Sequence, residues 1–88
     1  MNLATDDTEV VESTTLDEIS PMAWRLLRVA AGYEQRKVER ETDDLMQAHL
    51  SMLENGTRAL SLSRRQILFD LYTTELHEEQ IKAIIRNF

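Results

Sequence analysis

The residues best equipped for chemistry are two histidines, eight arginines, and the paired carboxylates Asp43-Asp44 and Glu78-Glu79. His49 and His77 are far apart in sequence and cannot alone build a metal site. The absence of cysteine removes disulfides, thiolate nucleophiles and thiolate-held metals together. Both carboxylate pairs fall where helices are expected to begin, and there acids complement the macrodipole without doing acid–base work. No nucleophile–base combination, Gly-rich phosphate loop or metal-ligand spacing is present. The expectation is a protein that is not an enzyme and needs no cofactor, metal or small-molecule ligand. What remains is recognition chemistry. Arginine outnumbers lysine eight to two, and a guanidinium offers a planar fork of donors suited to phosphates and bases, although a GC-rich genome gives the same bias. Gln47, Ala48, Ser51 and Asn55 add a run of small and amide-bearing side chains at helical spacing.

The elements that must position these residues are short. Eighty-eight residues, 42% apolar and 6% aromatic, make one domain with a mostly aliphatic core. No apolar run is long enough to span a bilayer, and the N-terminus lacks the basic start and apolar stretch of a signal peptide. A soluble cytoplasmic protein without membrane contact is expected. The net charge of −6 is unevenly spread. Asp6, Asp7, Glu9, Glu12, Asp17 and Glu18 are accompanied by no Lys or Arg before Pro21, whereas the rest of the chain is balanced. Residues 1–19 read as a disordered acidic tail, residues 20–88 as the folding domain. The acidic tail also fits a solubility device or adaptation to high salt.

Five helices follow. Ser20-Pro21 supplies an N-cap and a first-turn proline for a helix carrying Trp24, Leu27 and Ala31 inward, ended by Gly32. A charged helix over 34–41 has Val38 as its one anchor. After the break at Thr42-Asp43-Asp44, a capping box of Asp44 and Gln47 opens a third helix with Met46, Leu50 and Leu53 inward, closed by Asn55-Gly56. Ser63 and Gln66 form a second capping box for a helix with Ile67, Leu68, Leu71 and Tyr72 on one face. The last helix, 78–87, repeats Ile81, Ile84, Ile85 and Phe88 at core spacing. Met22, Met46 and Met52 read as core filler.

A tight break between short helices, followed by a polar outward face from Gln47, suits a helix-turn-helix, whose second helix reads base edges from its N-terminal half. The residues Leu27-Arg28, Ala31-Gly32-Tyr33, Gln35, Val38, the run Leu50 to Gly56, and Leu60-Ser61 resemble the lambda-repressor/Cro-like helix-turn-helix family over about residues 22–75. The resemblance implies an all-α, compact five-helix domain acting as a DNA-binding transcriptional regulator, in effect a small repressor, on double-stranded DNA. It implies that Gln35, with Arg36 beside it, meets a phosphate at the start of the second helix. Gln47 would read a base, with Ala48, His49 and Ser51 flanking it, while Asn55 and Arg58 would contact phosphates. It further implies an ion pair between Arg28 and Glu54. Glu39, Asp43 and Asp44 depart from the family's pattern by placing three acids around the turn. Without the resemblance, the face of Gln47, Ala48 and Ser51 reads first as a solvated surface, and His49 equally as a half-buried packing histidine. Arg64 and Arg65 are either solvated or phosphate-contacting. The stripe of Ile81, Ile85 and Phe88 is either core or the interface of a homodimer. The alternative function is a protein-interaction module of the same fold, an antitoxin-like or regulator partner with weak DNA binding.

Overall fold

The computed structural model describes residues 16–88, which are all-helical. Five helices lie wholly within them: α1 Pro21–Ala30, α2 Gln35–Glu41, α3 Gln47–Asn55, α4 Leu62–Thr73 and α5 Glu78–Asn87. Residues 16–18 are helical as well. Of the tail expected over 1–19, residues 1–15 lie outside the described residues, and residues 16–19 do not behave as a tail. Leu16 and Ile19 are buried and anchor this stretch in the core. Their i, i+3 spacing puts both on one side of a helical turn while Asp17 and Glu18 stay in water.

Helix α1 is the hub, packing on α3, α4 and α5, with α2 held against α3. Ala23, Trp24 and Leu27 are its buried stripe. Trp24 meets Tyr72 of α4 edge-on at 6.4 Å, and Tyr33 meets the same ring at 6.0 Å. Fully burying side chains of this size contributes about 1.5–3 kcal/mol each. The start of α1 is fixed twice. The Ser20 hydroxyl accepts the Ala23 N–H at 3.0 Å and donates to the Phe88 carbonyl at 2.7 Å, which ties the first helix to the end of the last. At the end of α3, Gly56 adopts φ +74° as the left-handed cap, with its own N–H returning to the Leu53 carbonyl.

Several sequence expectations are corrected. Helix α3 starts at Gln47 with Met46 as its cap residue, so Asp44 and Gln47 form no capping box. The later start changes the phase: Leu45 points into the core and Met46 is 59% exposed. Asp44 instead pairs with Arg64 at 3.0 Å. In α4 the cap is Ser61, which accepts the Arg64 N–H, while Gln66 donates to Asp70 one turn on. Ile67 therefore faces outward, with Leu68 and Tyr72 inward. Met22 is exposed rather than core filler, because it lies across α1 from Ala23 and Leu27.

Candidate nucleic-acid interface

Helices α2 and α3 are joined by residues 42–46 and packed through Val38, Leu50 and Leu53, all buried. Those anchors turn Gln47, Ala48 and Asn55 outward and leave Ser51 half-exposed between the helices. Gln35 opens α2 and is drawn into a polar network with them. Its amide oxygen accepts the Ser51 hydroxyl at 3.1 Å and lies 3.4 Å from the Gln47 side-chain amide nitrogen. Its own amide nitrogen donates to Glu54 at 3.2 Å.

Glu54 is the pivot of this network. Its two oxygens receive Nε and Nη2 of Arg28 at 2.8 and 3.0 Å, a bidentate pair across α1 and α3. Arg28 also donates to the Tyr33 carbonyl at 2.7 Å, which fixes the turn leading into α2. The two side chains are only 12% and 5% exposed, so water does little to weaken the pair. The hydrogen bond to Glu54 raises the Arg28 pKa above its ordinary value, against the opposing effect of burial. One chain of contacts thus runs from the buried ion pair through Gln35 to Gln47 on the surface. Beneath it, burial and then Glu54 push the Tyr72 phenol pKa upward. The Tyr72 hydroxyl has no hydrogen-bond partner among the described residues.

The N-terminus of α3 has no capping oxygen of its own, since Met46 carries only a thioether. Two neighbours serve instead: Nδ1 of His49 accepts the Met46 N–H at 3.0 Å, and Oε2 of Glu39 accepts the Gln47 N–H at 3.1 Å. His49 is therefore half-buried and engaged, with its Nδ1 lone pair pointing at the backbone. In the sequence Glu39 stands out only as a departure from the resembled family's pattern and not as a cap. Its contact lies eight residues away across an irregular turn, for which the sequence carries no local signal.

Beyond α3, Arg58 is exposed in the loop to α4 and makes no ion pair among the described residues. It borders a groove of about 340 Å³ lined also by His49, Met52, Ser61 and Arg64. Arg36 is exposed on α2 beside Gln35. Gln35, Gln47 and Ser51 are thus brought together, Ala48 and Asn55 lie exposed on the same helix, and His49 turns toward the loop holding Arg58. On α5, Ile81 and Ile85 pack partly on the core, and Phe88, whose carbonyl accepts from Ser20, is 59% exposed.

These features define a small all-helical domain with a polar, hydrogen-bonded face on its second and third helices. Among the described residues, no helix is long and apolar enough to cross a membrane, and no group of His, Asp and Glu is arranged to hold a metal ion. Residues 13–65 match a family described as a domain of unknown function, DUF8599, and the chain belongs to that family. The matched span contains Leu16, Ile19, α1 to α3 and the Arg58 loop, ending in the first turn of α4. No curated protein and no solved structure matches the chain.

Proposed function

We propose that this protein is a sequence-specific, double-stranded DNA-binding regulator of the lambda-repressor-like type, in which α2 and α3 act as the helix-turn-helix and α3 reads the major groove. The observation that carries the reading is the Gln35–Gln47–Ser51 set, anchored through Glu54 to Arg28. A side-chain amide presents one donor and one acceptor, the pair that an adenine edge requires, and its value in discrimination depends on being held in place. Gln47 takes the base-reading role, flanked by Ala48, His49 and Ser51. Gln35, Arg36, Asn55 and Arg58 take phosphate roles that set the register. Recognition by one helix covers few base pairs, so the acting species is a two-fold dimer, for which the exposed Phe88 beside Ile81 and Ile85 supplies an apolar surface.

One observation favours the second reading, a protein-interaction module. The Glu39 carboxylate sits on the Gln47 N–H at the start of α3, with Asp43 and Asp44 exposed in the adjoining turn. Acids at this end oppose phosphate. Selection from a pool of random-sequence duplexes separates the two. The DNA reading predicts enrichment of a defined motif by the wild type and loss of preference at one position with Gln47→Ala. A pool that remains random after repeated rounds supports the protein-interaction reading.

A further inference from the structure

Three arginines form a ridge along the loop and first turn between α3 and α4, and two of them already hold a carboxylate. Arg64 is paired with Asp44 and Arg65 with Asp17, each at 3.0 Å. Arg58 lies between them in the sense that it borders two grooves. One is shared with Arg64 and His49, the other with Arg65 and Asp17. Both paired aspartates are largely exposed, at 71% and 67%, so these are surface bridges of the weak, exchangeable kind. Capacity remains on the ridge. Arg58 is exposed and makes no ion pair among the described residues.

The position of Asp17 matters because of what precedes it. The chain enters the described structure at Leu16, beside the groove that Asp17, Arg58 and Arg65 line together. Asp6, Asp7, Glu9 and Glu12 lie directly upstream, with no Lys or Arg among them. An extended chain covers at most about 3.3–3.6 Å per residue, so Glu12 can sit up to roughly 17 Å from Asp17. That is ample for a groove that both Asp17 and Arg58 already touch. We propose that the Arg65–Arg58–Arg64 ridge is a docking surface for the chain's own acidic segment, residues 6–12, which competes there with the phosphates of DNA. The regulatory part of the proposal rests on the DNA-binding reading; the docking itself does not. Asp17 acts as the first contact of the segment and delivers the others by proximity. Because each contact is a surface ion pair, the competition is strong at low ionic strength and fades as salt screens it.

The test keeps the full chain and neutralises the segment with Asp6→Asn, Asp7→Asn, Glu9→Gln and Glu12→Gln. Backbone and arginine side-chain NMR resonances of Arg58, Ala59 and Arg65 are compared between the two proteins without DNA. Binding of both to a random-sequence duplex is then measured by fluorescence anisotropy. The proposal expects resonance differences on the ridge at about 0.02 M salt that vanish near 0.5 M, with duplex affinity of the variant about tenfold higher at the low salt only. Identical ridge resonances at every salt concentration overturn the docking, whatever the DNA result. Differing resonances with equal duplex affinity overturn the competition. If the resonances differ but neither protein binds duplex, the docking stands and the DNA-binding reading fails.

Discussion

Glu54→Leu removes the acceptor at the centre of the polar network. The Arg28 guanidinium, 12% exposed, loses both short hydrogen bonds and keeps only the Tyr33 carbonyl. Breaking a buried pair in this way costs about 3–5 kcal/mol, because the remaining charge stays out of water. Adding Arg28→Met to Glu54→Leu removes that stranded charge. The double variant leaves the Tyr33 carbonyl without its donor, at about 1–3 kcal/mol, while the half-exposed Gln35 amide that also loses Glu54 can turn to water. It should therefore be about 2 kcal/mol more stable than Glu54→Leu alone. Urea unfolding followed by helical circular dichroism reads both differences. Function should follow a different order. Gln35 loses its tether to Glu54 in either variant, so the double variant should be stable yet poor at discriminating DNA sequences. A Glu54→Leu cost below about 1 kcal/mol would refute the buried-pair argument, since that is the value of an exposed bridge. Full sequence discrimination by the double variant would refute the positioning role.

Three further outcomes follow from the packing. Gly56→Ala should destabilise more than Gly32→Ala: both glycines have positive φ, costing about 1–2 kcal/mol for any side chain, but only at Gly56 would the new Cβ meet Pro21, at 3.2 Å, whereas Gly32 faces open space. Thermal unfolding of the two variants checks the order. Tyr72 has its pKa raised in the folded state, so its contribution to stability is complete below the unfolded-state value of about 10 and declines as pH rises beyond it. Tyr72→Phe should remove that tyrosine's share of the alkaline loss and, by deleting an unpartnered buried hydroxyl, leave neutral-pH stability within about 1 kcal/mol of wild type or above it; unfolding at pH 7 and pH 11 measures both. Phe88→Glu should give a folded monomer with weaker DNA binding, because Phe88 is exposed while Ile85 also supports the core; a wild type that sediments as a monomer at tens of micromolar would remove the dimer.

The sequence announced those elements whose ends are set locally. Ser20-Pro21 and Gly56 mark boundaries by their own hydrogen bonding and backbone freedom, and the helices begin and end there. Local signals are silent where a boundary depends on contacts from another helix. Helix α3 starts at Gln47 because Glu39 and His49 satisfy its first N–H groups, and this exchanged the roles of Leu45 and Met46. Leu16 and Ile19 were hidden for a related reason: two apolar residues among acids are too few to mark an element, and their burial depends on a core built elsewhere. The candidate site was legible as a set of residue types. The closeness of Gln35 to Ser51 and Gln47 is a matter of how α2 lies on α3, which spacing along the chain does not encode.

The most direct test of the central claim is the specificity ratio of the wild-type protein. Anisotropy titrations at about 0.15 M salt would compare the duplex enriched from the random pool with a scrambled duplex of the same composition. A major-groove reader should bind the enriched duplex about a thousandfold or more tightly than the scrambled one. Gln47→Ala should reduce that preference by about 1–3 kcal/mol while leaving scrambled binding unchanged, and Arg58→Ala should weaken both duplexes alike. Equal affinity of the wild type for the two duplexes would contradict the account, because phosphate contacts alone would then explain all of the binding.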